Sequence, residues 1–144
     1  MISSIYIAKS VYGGDGLGRL GDGRVVFVPG TFAGEQVKAE IIQEKKTFVK
    51  ARLIEIEDPS PERIGTNPAP IPGAVYWNLS VKGEKEAKRS QLAEFFERNR
   101  IKLPENCDLA ESSSDSSDKA AFNYRNKVVY HFSGATAERV LGYR

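Results

Sequence analysis

Hydrophobic and polar positions alternate in short bursts through the first 58 residues. Ile5, Ile7 and Val11 mark the first burst, Leu17 to Leu20 a brief second, and Val25-Val26-Phe27-Val28 a third that stops at Pro29-Gly30. Val37, Ala39 and Ile41 then alternate with Gln36, Lys38 and Glu40. After a turn at Glu44-Lys45-Lys46, Val49, Ala51 and Leu53 alternate with Lys50, Arg52 and Ile54. A period of two places alternate side chains on one face of a pleated strand, so each burst predicts a strand with one buried side. Five short strands in about 55 residues predict a small five-stranded barrel of the OB type. Asp58-Pro59-Ser60-Pro61 closes it.

Past residue 60 the period of two is lost. Residues 61–80 are rich in Pro, Gly and Asn, with Tyr76 and Trp77 among them, and read as a linker or irregular loop. From Gly83 to Asn99 the period becomes helical: Ala87, Gln91, Leu92, Phe95 and Phe96 share a stripe between Lys and Glu residues, and Pro104 lies beyond. That stripe needs a partner surface. Glu111 to Lys119, containing SSSDSSD, is a polar low-complexity loop. Asn123 to Phe132 alternates again and is expected to pair with Arg139 to Arg144 in a hairpin turned at Ser133-Gly134. The expected architecture is therefore mainly β: a barrel over 1–60, a linker over 61–80, and over 81–144 a helix and a β-hairpin that begin an incomplete second α+β domain.

Eight of the thirteen glycines fall between Gly13 and Gly34. Glycine enters positive-φ turns without steric cost, so Gly13-Gly14-Asp15-Gly16 and Gly21-Asp22-Gly23 predict two tight hairpin turns, with Arg19 and Arg24 beside them. The same run contains Gly16-Leu17-Gly18-Arg19-Leu20-Gly21, which matches the G-x-G-x-x-G of dinucleotide sites. That motif needs a following helix N-terminus to meet a pyrophosphate, and a strand and a proline follow here instead. A dinucleotide site is excluded on that ground.

Charge sharpens this only locally. The 21 basic and 19 acidic side chains leave a net charge of +2, which does not announce a nucleic-acid binder. Lys45, Lys46, Lys50 and Arg52 do cluster around one turn, although on charge count alone they form an ordinary solvated face. No apolar run approaches the roughly 20 residues that span a bilayer, and Met1 leads straight into strand-like sequence, so a chain without a membrane partner, resident in the cytoplasm, is expected. Cys107 is the single cysteine and His131 the single histidine. Neither has a nucleophile, base or ligand set beside it in sequence, so no catalytic, cofactor-binding or metal-binding residue is assigned.

Three stretches in one order, GDGLGR, DGRVVFVPGTFAGEQVKAEI and KKTFVKARLIEIEDPSPERI, resemble the TRAM domain that opens RNA uracil-5-methyltransferases. The resemblance covers about the first 64 residues. Gln91-Leu92 and its helix look like that family's Tyr-x-x-Gln-Leu helix. Tyr124-Arg125-Asn126-Lys127 looks like the start of its central RNA-binding domain, and Leu141-Gly142-Tyr143 fits a strand of the same domain. Many relatives carry four cysteines for an iron-sulfur cluster after the TRAM domain, and the matching stretch here, GTNPAPIPGAVYWNLS, has none, so the cluster is expected to be absent. The family continues into a catalytic domain with an S-adenosylmethionine site, a nucleophilic cysteine and a general base. This chain ends before it, as a truncated product, a piece of a longer protein or a stand-alone accessory.

The resemblance implies a substrate-recognition portion that binds structured RNA, tRNA or rRNA, and does no chemistry itself. Arg19, Arg24, Lys45, Lys46, Lys50 and Arg52 are the candidates for phosphate contact, and Arg125 and Lys127 extend them. Phe48 and Phe27 are candidate stacking residues, although apolar aromatics belong more readily in the barrel core. Two alternatives stay open. The helix near 83–99, with Leu92, Phe95 and Phe96, could dock on a separate catalytic methyltransferase domain, or the barrel could be a stand-alone RNA-binding or protein-interaction adaptor.

Overall fold

The computed structural model describes residues 1–65, 74–102, 131–133 and 140–142. Five strands, β1 (Ile2–Ser10), β2 (Asp15–Arg19), β3 (Val25–Pro29), β4 (Gln36–Glu44) and β5 (Phe48–Asp58), close into a barrel in the order β1-β2-β3-β5-β4. Every neighbouring pair is antiparallel except β3 and β5, which run parallel with Val25 opposite Phe48 and Phe27 opposite Lys50. Closure leaves no free sheet edge. A helix, α1 (Val81–Arg98), follows, and β6 (His131–Ser133) pairs antiparallel with β7 (Val140–Gly142). The expected fold class is the one found. Most of the expected Asn123–Phe132 strand, its turn, and the low-complexity loop lie outside the described residues.

The alternation that predicted the strands is also the one that fills the barrel. Ile5, Ile7, Val26, Val28, Val37, Ala39, Val49, Ala51 and Leu53 are buried together, with Leu20, Ile41 and Ile56 packed against them. β2 contributes no inward side chain: its buried positions are Gly16 and Gly18. A Cβ on Gly18 would stand 2.5 Å from the Tyr6 carbonyl oxygen and 2.6 Å from Ile5 Cγ2. These glycines let β1 and β2 approach closely, and the G-x-G run therefore points into the barrel rather than toward a ligand. This also shifts the second strand from the expected Leu17–Leu20 to Asp15–Arg19, because an inward glycine leaves no trace in a hydrophobic pattern. Both expected glycine turns are present, at Val11–Gly14 and at Leu20–Gly23.

A buried ion pair ties the segment after the barrel back onto it. Glu35 is fully buried, and Arg63 donates to it twice, Nε to Oε1 at 2.6 Å and Nη2 to Oε2 at 2.9 Å. The Phe32 and Ser60 backbone N–H groups also donate to this carboxylate, at 2.9 and 3.2 Å. Arg63 Nη2 also donates to the Gly30 carbonyl and Nη1 to the Gly65 carbonyl, and its guanidinium lies 4.6 Å from the centre of the Phe32 ring. With both carboxylate oxygens and four of the five guanidinium N–H groups partnered, two charges are held out of water. Nearby, a bridge between Arg63 and Leu79 and the bond from Ile64 N–H to the Asn78 carbonyl, 2.8 Å, join the two described ends of the 61–80 segment.

Candidate nucleic-acid interface

The basic residues of the barrel singled out by sequence divide into two groups. Arg19 ends β2 and Lys45 and Lys46 lie in the β4–β5 turn, while Lys50 projects outward from β5. None of these four makes an ion pair with a described carboxylate. Arg19 Nη1 donates to the Gly23 carbonyl at 3.0 Å, which spreads it along the β2–β3 turn, and Lys45 Nζ stands 6.0 Å from the centre of the Phe48 ring. Burial raises the Asp15 carboxyl above its ordinary value, and the charge of Lys50 opposes that rise from a distance. Arg24 and Arg52 are different. Arg24 is shared between Asp22, 2.7 Å, and Glu44, 2.9 Å, and Arg52 meets Glu40 across the β4–β5 register at 2.5 Å. The Arg24 backbone N–H and guanidinium hold the Asp22 carboxyl below its ordinary value, so this carboxylate stays charged beside the arginine. Arg125 and Lys127 lie outside the described residues.

Phe27 and Phe48 are not in the core, contrary to the expectation for apolar aromatics. Strand parity puts both on the outer face, because their neighbours Val26, Val28 and Val49 take the inward positions. The rings meet edge to face with centroids 5.9 Å apart and are half-buried. Leu17 and Val25, on β2 and β3, continue this apolar outer face.

A second wall comes from α1. Ser80 caps the helix, its Oγ accepting from the Gly83 N–H at 3.0 Å, and Gly83 allows close approach: a Cβ there would stand 2.7 Å from Glu62 Cβ. Polar side chains then fasten the helix to β1 and the turn after it. Gln91 Nε2 donates to the Val11 carbonyl at 3.2 Å and to Tyr76 Oη at 2.9 Å, and Glu94 pairs with Lys9. Lys9 holds the Glu94 carboxyl below its ordinary value. The expected apolar stripe therefore splits. Ala87 and Gln91 are partly covered, whereas Leu92 and Phe95 are 42% and 54% exposed.

Between the outer face of β2, β3 and β5 and the last turns of α1 runs an open groove of about 830 Å³. Phe27 and Phe48 lie in it together with Tyr12, Phe95, Lys9 and Arg98. Tyr12, at the tip of the β1–β2 turn, is 94% exposed. In OB-folds the face of the second and third strands, flanked by the β1–β2 and β4–β5 loops, receives oligonucleotides or oligosaccharides. Tyr12 and the Lys45–Lys46 turn occupy those two loops here. Tyr12, Phe95 and Arg98 were missed by sequence reasoning as parts of one site. An aromatic directly before Gly13-Gly14 was the available signal for Tyr12. Nothing in sequence placed the end of α1 against the barrel. Among the described residues no group of His, Cys, Asp and Glu gathers as metal ligands, and no helix is long and apolar enough to cross a membrane.

A closed five-stranded barrel with this strand order, offering an aromatic and basic outer face, places the molecule among the OB-like binding modules. Residues 7–54 match the TRAM domain family, and the barrel is a TRAM domain. Over 93% of its length the chain is 30% identical to a Thermotoga maritima protein named as an uncharacterized RNA methyltransferase, of which it spans 30%. Half of the chain is 36% identical to 17% of a 23S rRNA (uracil(1939)-C(5))-methyltransferase from Shewanella sp. (strain ANA-3). The solution structure of a conserved protein of Methanococcus maripaludis is 32% identical over 37% of this chain and 74% of that one, with a TM-score of 0.35. The chain thus spans less than a third of the length of the methyltransferase relatives it matches.

Proposed function

We propose that this chain is the RNA-recognising portion of an S-adenosylmethionine-dependent uracil-5-methyltransferase acting on tRNA or rRNA, and that the methyl-transfer chemistry belongs to polypeptide outside these 144 residues. The observation that carries the reading is the TRAM barrel's outer face: Arg19, Lys45, Lys46 and Lys50, outside any ion pair with a described carboxylate, beside the half-buried Phe27–Phe48 pair. Cations outside such ion pairs are available to phosphates, and each phosphate contact releases counterions. The relatives that are RNA methyltransferases supply the reaction class. The described residues do not fit S-adenosylmethionine, since the G-x-G run is spent inside the barrel and leaves no cradle for a nucleoside. On this reading the cofactor belongs to polypeptide outside these residues, and no step of its chemistry is assigned to this chain. Leu92, exposed on α1 and outside that aromatic and basic face, is where such a domain would dock.

The test is binding of the full chain to a transcribed stem-loop RNA, followed by anisotropy across a salt series. A negative slope of log K against log salt is expected, and a flat one overturns the reading. Incubation with labelled S-adenosylmethionine and the same RNA is expected to transfer no methyl group.

A further inference from the structure

The groove between the barrel and α1 is lined differently from its rim. Four aromatic side chains enter its mixed lining: Phe27 and Phe48 from the sheet, Tyr12 from the β1–β2 turn and Phe95 from the helix. Its two cations face one carboxylate: Lys9 is paired with Glu94, and Arg98 lies 3.9 Å from the same side chain. Both are therefore already engaged. Lys45, Lys46 and Lys50, outside any ion pair with a described carboxylate, belong instead to the β4–β5 turn and the start of β5, beside Phe48. An A-form duplex shows phosphates and 2′-hydroxyls to a protein and keeps its base faces stacked on one another, so it has nothing to offer this lining. An unpaired strand does, since every exposed base has a π-face to lay on an aromatic ring.

We infer that the groove binds an unpaired segment of RNA, its bases stacked on Tyr12, Phe48 and Phe95 and its phosphates turned outward to Lys45, Lys46 and Lys50. This rests on the RNA-binding reading above and adds to it the strandedness of the ligand and a helix wall outside the TRAM domain. It also gives Gln91 a positioning role. By donating to the Val11 carbonyl it ties the turn carrying Tyr12 to the helix carrying Phe95.

The experiment compares a labelled single-stranded RNA of about 12 nucleotides, within the site size of one OB-fold, with the same strand annealed to its complement. The single strand is expected to bind more tightly. Tyr12→Ala and Phe95→Ala should each weaken single-strand binding about 5- to 100-fold, the range for removing one stacking platform, while leaving the salt slope unchanged. Lys45→Ala with Lys46→Ala should flatten that slope by about 0.7 for each phosphate that is no longer neutralised. Tyr12 is almost fully exposed, so its truncation tests the groove without threatening the fold. Duplex binding as tight as single-strand binding, or unchanged affinity in both aromatic variants, overturns the groove assignment while leaving RNA recognition standing. A chain that binds neither RNA overturns both.

Discussion

Glu35 has no accessible surface, yet its carboxylate meets four donors, two from Arg63 and two from backbone N–H groups. Removing one member of a buried pair leaves the other charge stranded, so Arg63→Ala is expected to lower the unfolding free energy by about 3–5 kcal/mol in a denaturant titration. Hydrophobic residues of similar volume in place of both partners should cost less than either single loss. Gly18 is equally constrained, for a different reason. Gly18→Ala drives a Cβ against the Tyr6 carbonyl, a backbone atom that cannot swing away, and about 1–3 kcal/mol of overpacking is expected in the same titration. The sequence showed Glu35 only as one residue of the TRAM-like stretch DGRVVFVPGTFAGEQVKAEI. Its burial was not legible, because the partner that makes burial tolerable lies 28 residues away. The role of Gly18 was hidden too: a strand pattern built on side chains has no symbol for an inward position left empty.

Among the elements, the barrel strands were the most legible and α1 the least. Alternation alone located β1, β3, β4 and β5, because in a small closed barrel the inward face is uniformly apolar. For α1 the period marked the helix correctly and its buried face poorly. The helix is fastened by polar groups, Gln91 and Glu94 on one side and Ser80 on Glu62 at its start, while the apolar Leu92 and Phe95 stay out. An apolar stripe cannot report an attachment made of hydrogen bonds. These attachments respond to acid. The Ser80 hydroxyl, and after it Lys82, hold the Glu62 carboxyl below its ordinary value of 4.5, and Lys9 does the same to Glu94. A group lowered on folding lends stability that is fully present above 4.5 and lost as pH falls through its lowered value. Thermal melts taken from neutral pH downward should therefore lose stability in the region below 4.5, and Glu62→Gln with Glu94→Gln should make that loss shallower.

At the scale of the whole molecule, sequence grouped the basic residues around one turn but could not say which of them stand outside ion pairs with described carboxylates. Arg24 and Arg52 are answered by Glu44 and Glu40, contacts that depend on how β4 folds back beside β5 and on the turn before β3. The parallel β3–β5 pairing, which brings Phe48 against Phe27, joins segments more than 20 residues apart and leaves no local signal. Total charge was uninformative for the same reason: free and neutralised cations count alike. The distinction predicts a difference between substitutions of equal charge. Lys46→Ala should reduce both RNA affinity and its salt dependence, whereas Arg52→Ala, which removes a cation already matched by Glu40, should change them far less. Parallel salt titrations of the two variants check this.

The bond from Ile64 to Asn78 and the Arg63–Leu79 bridge pinch the chain together at the base of the segment between them. What enters and what leaves that segment is thus fixed in space whatever lies within it. Because the entropy of closing a loop grows only slowly with its length, the chain between these points can be lengthened at little cost to closure, so long as Tyr76 keeps its bond to Gln91. An insert there would leave the barrel's outer face as it is, much as one fitting accepts interchangeable parts.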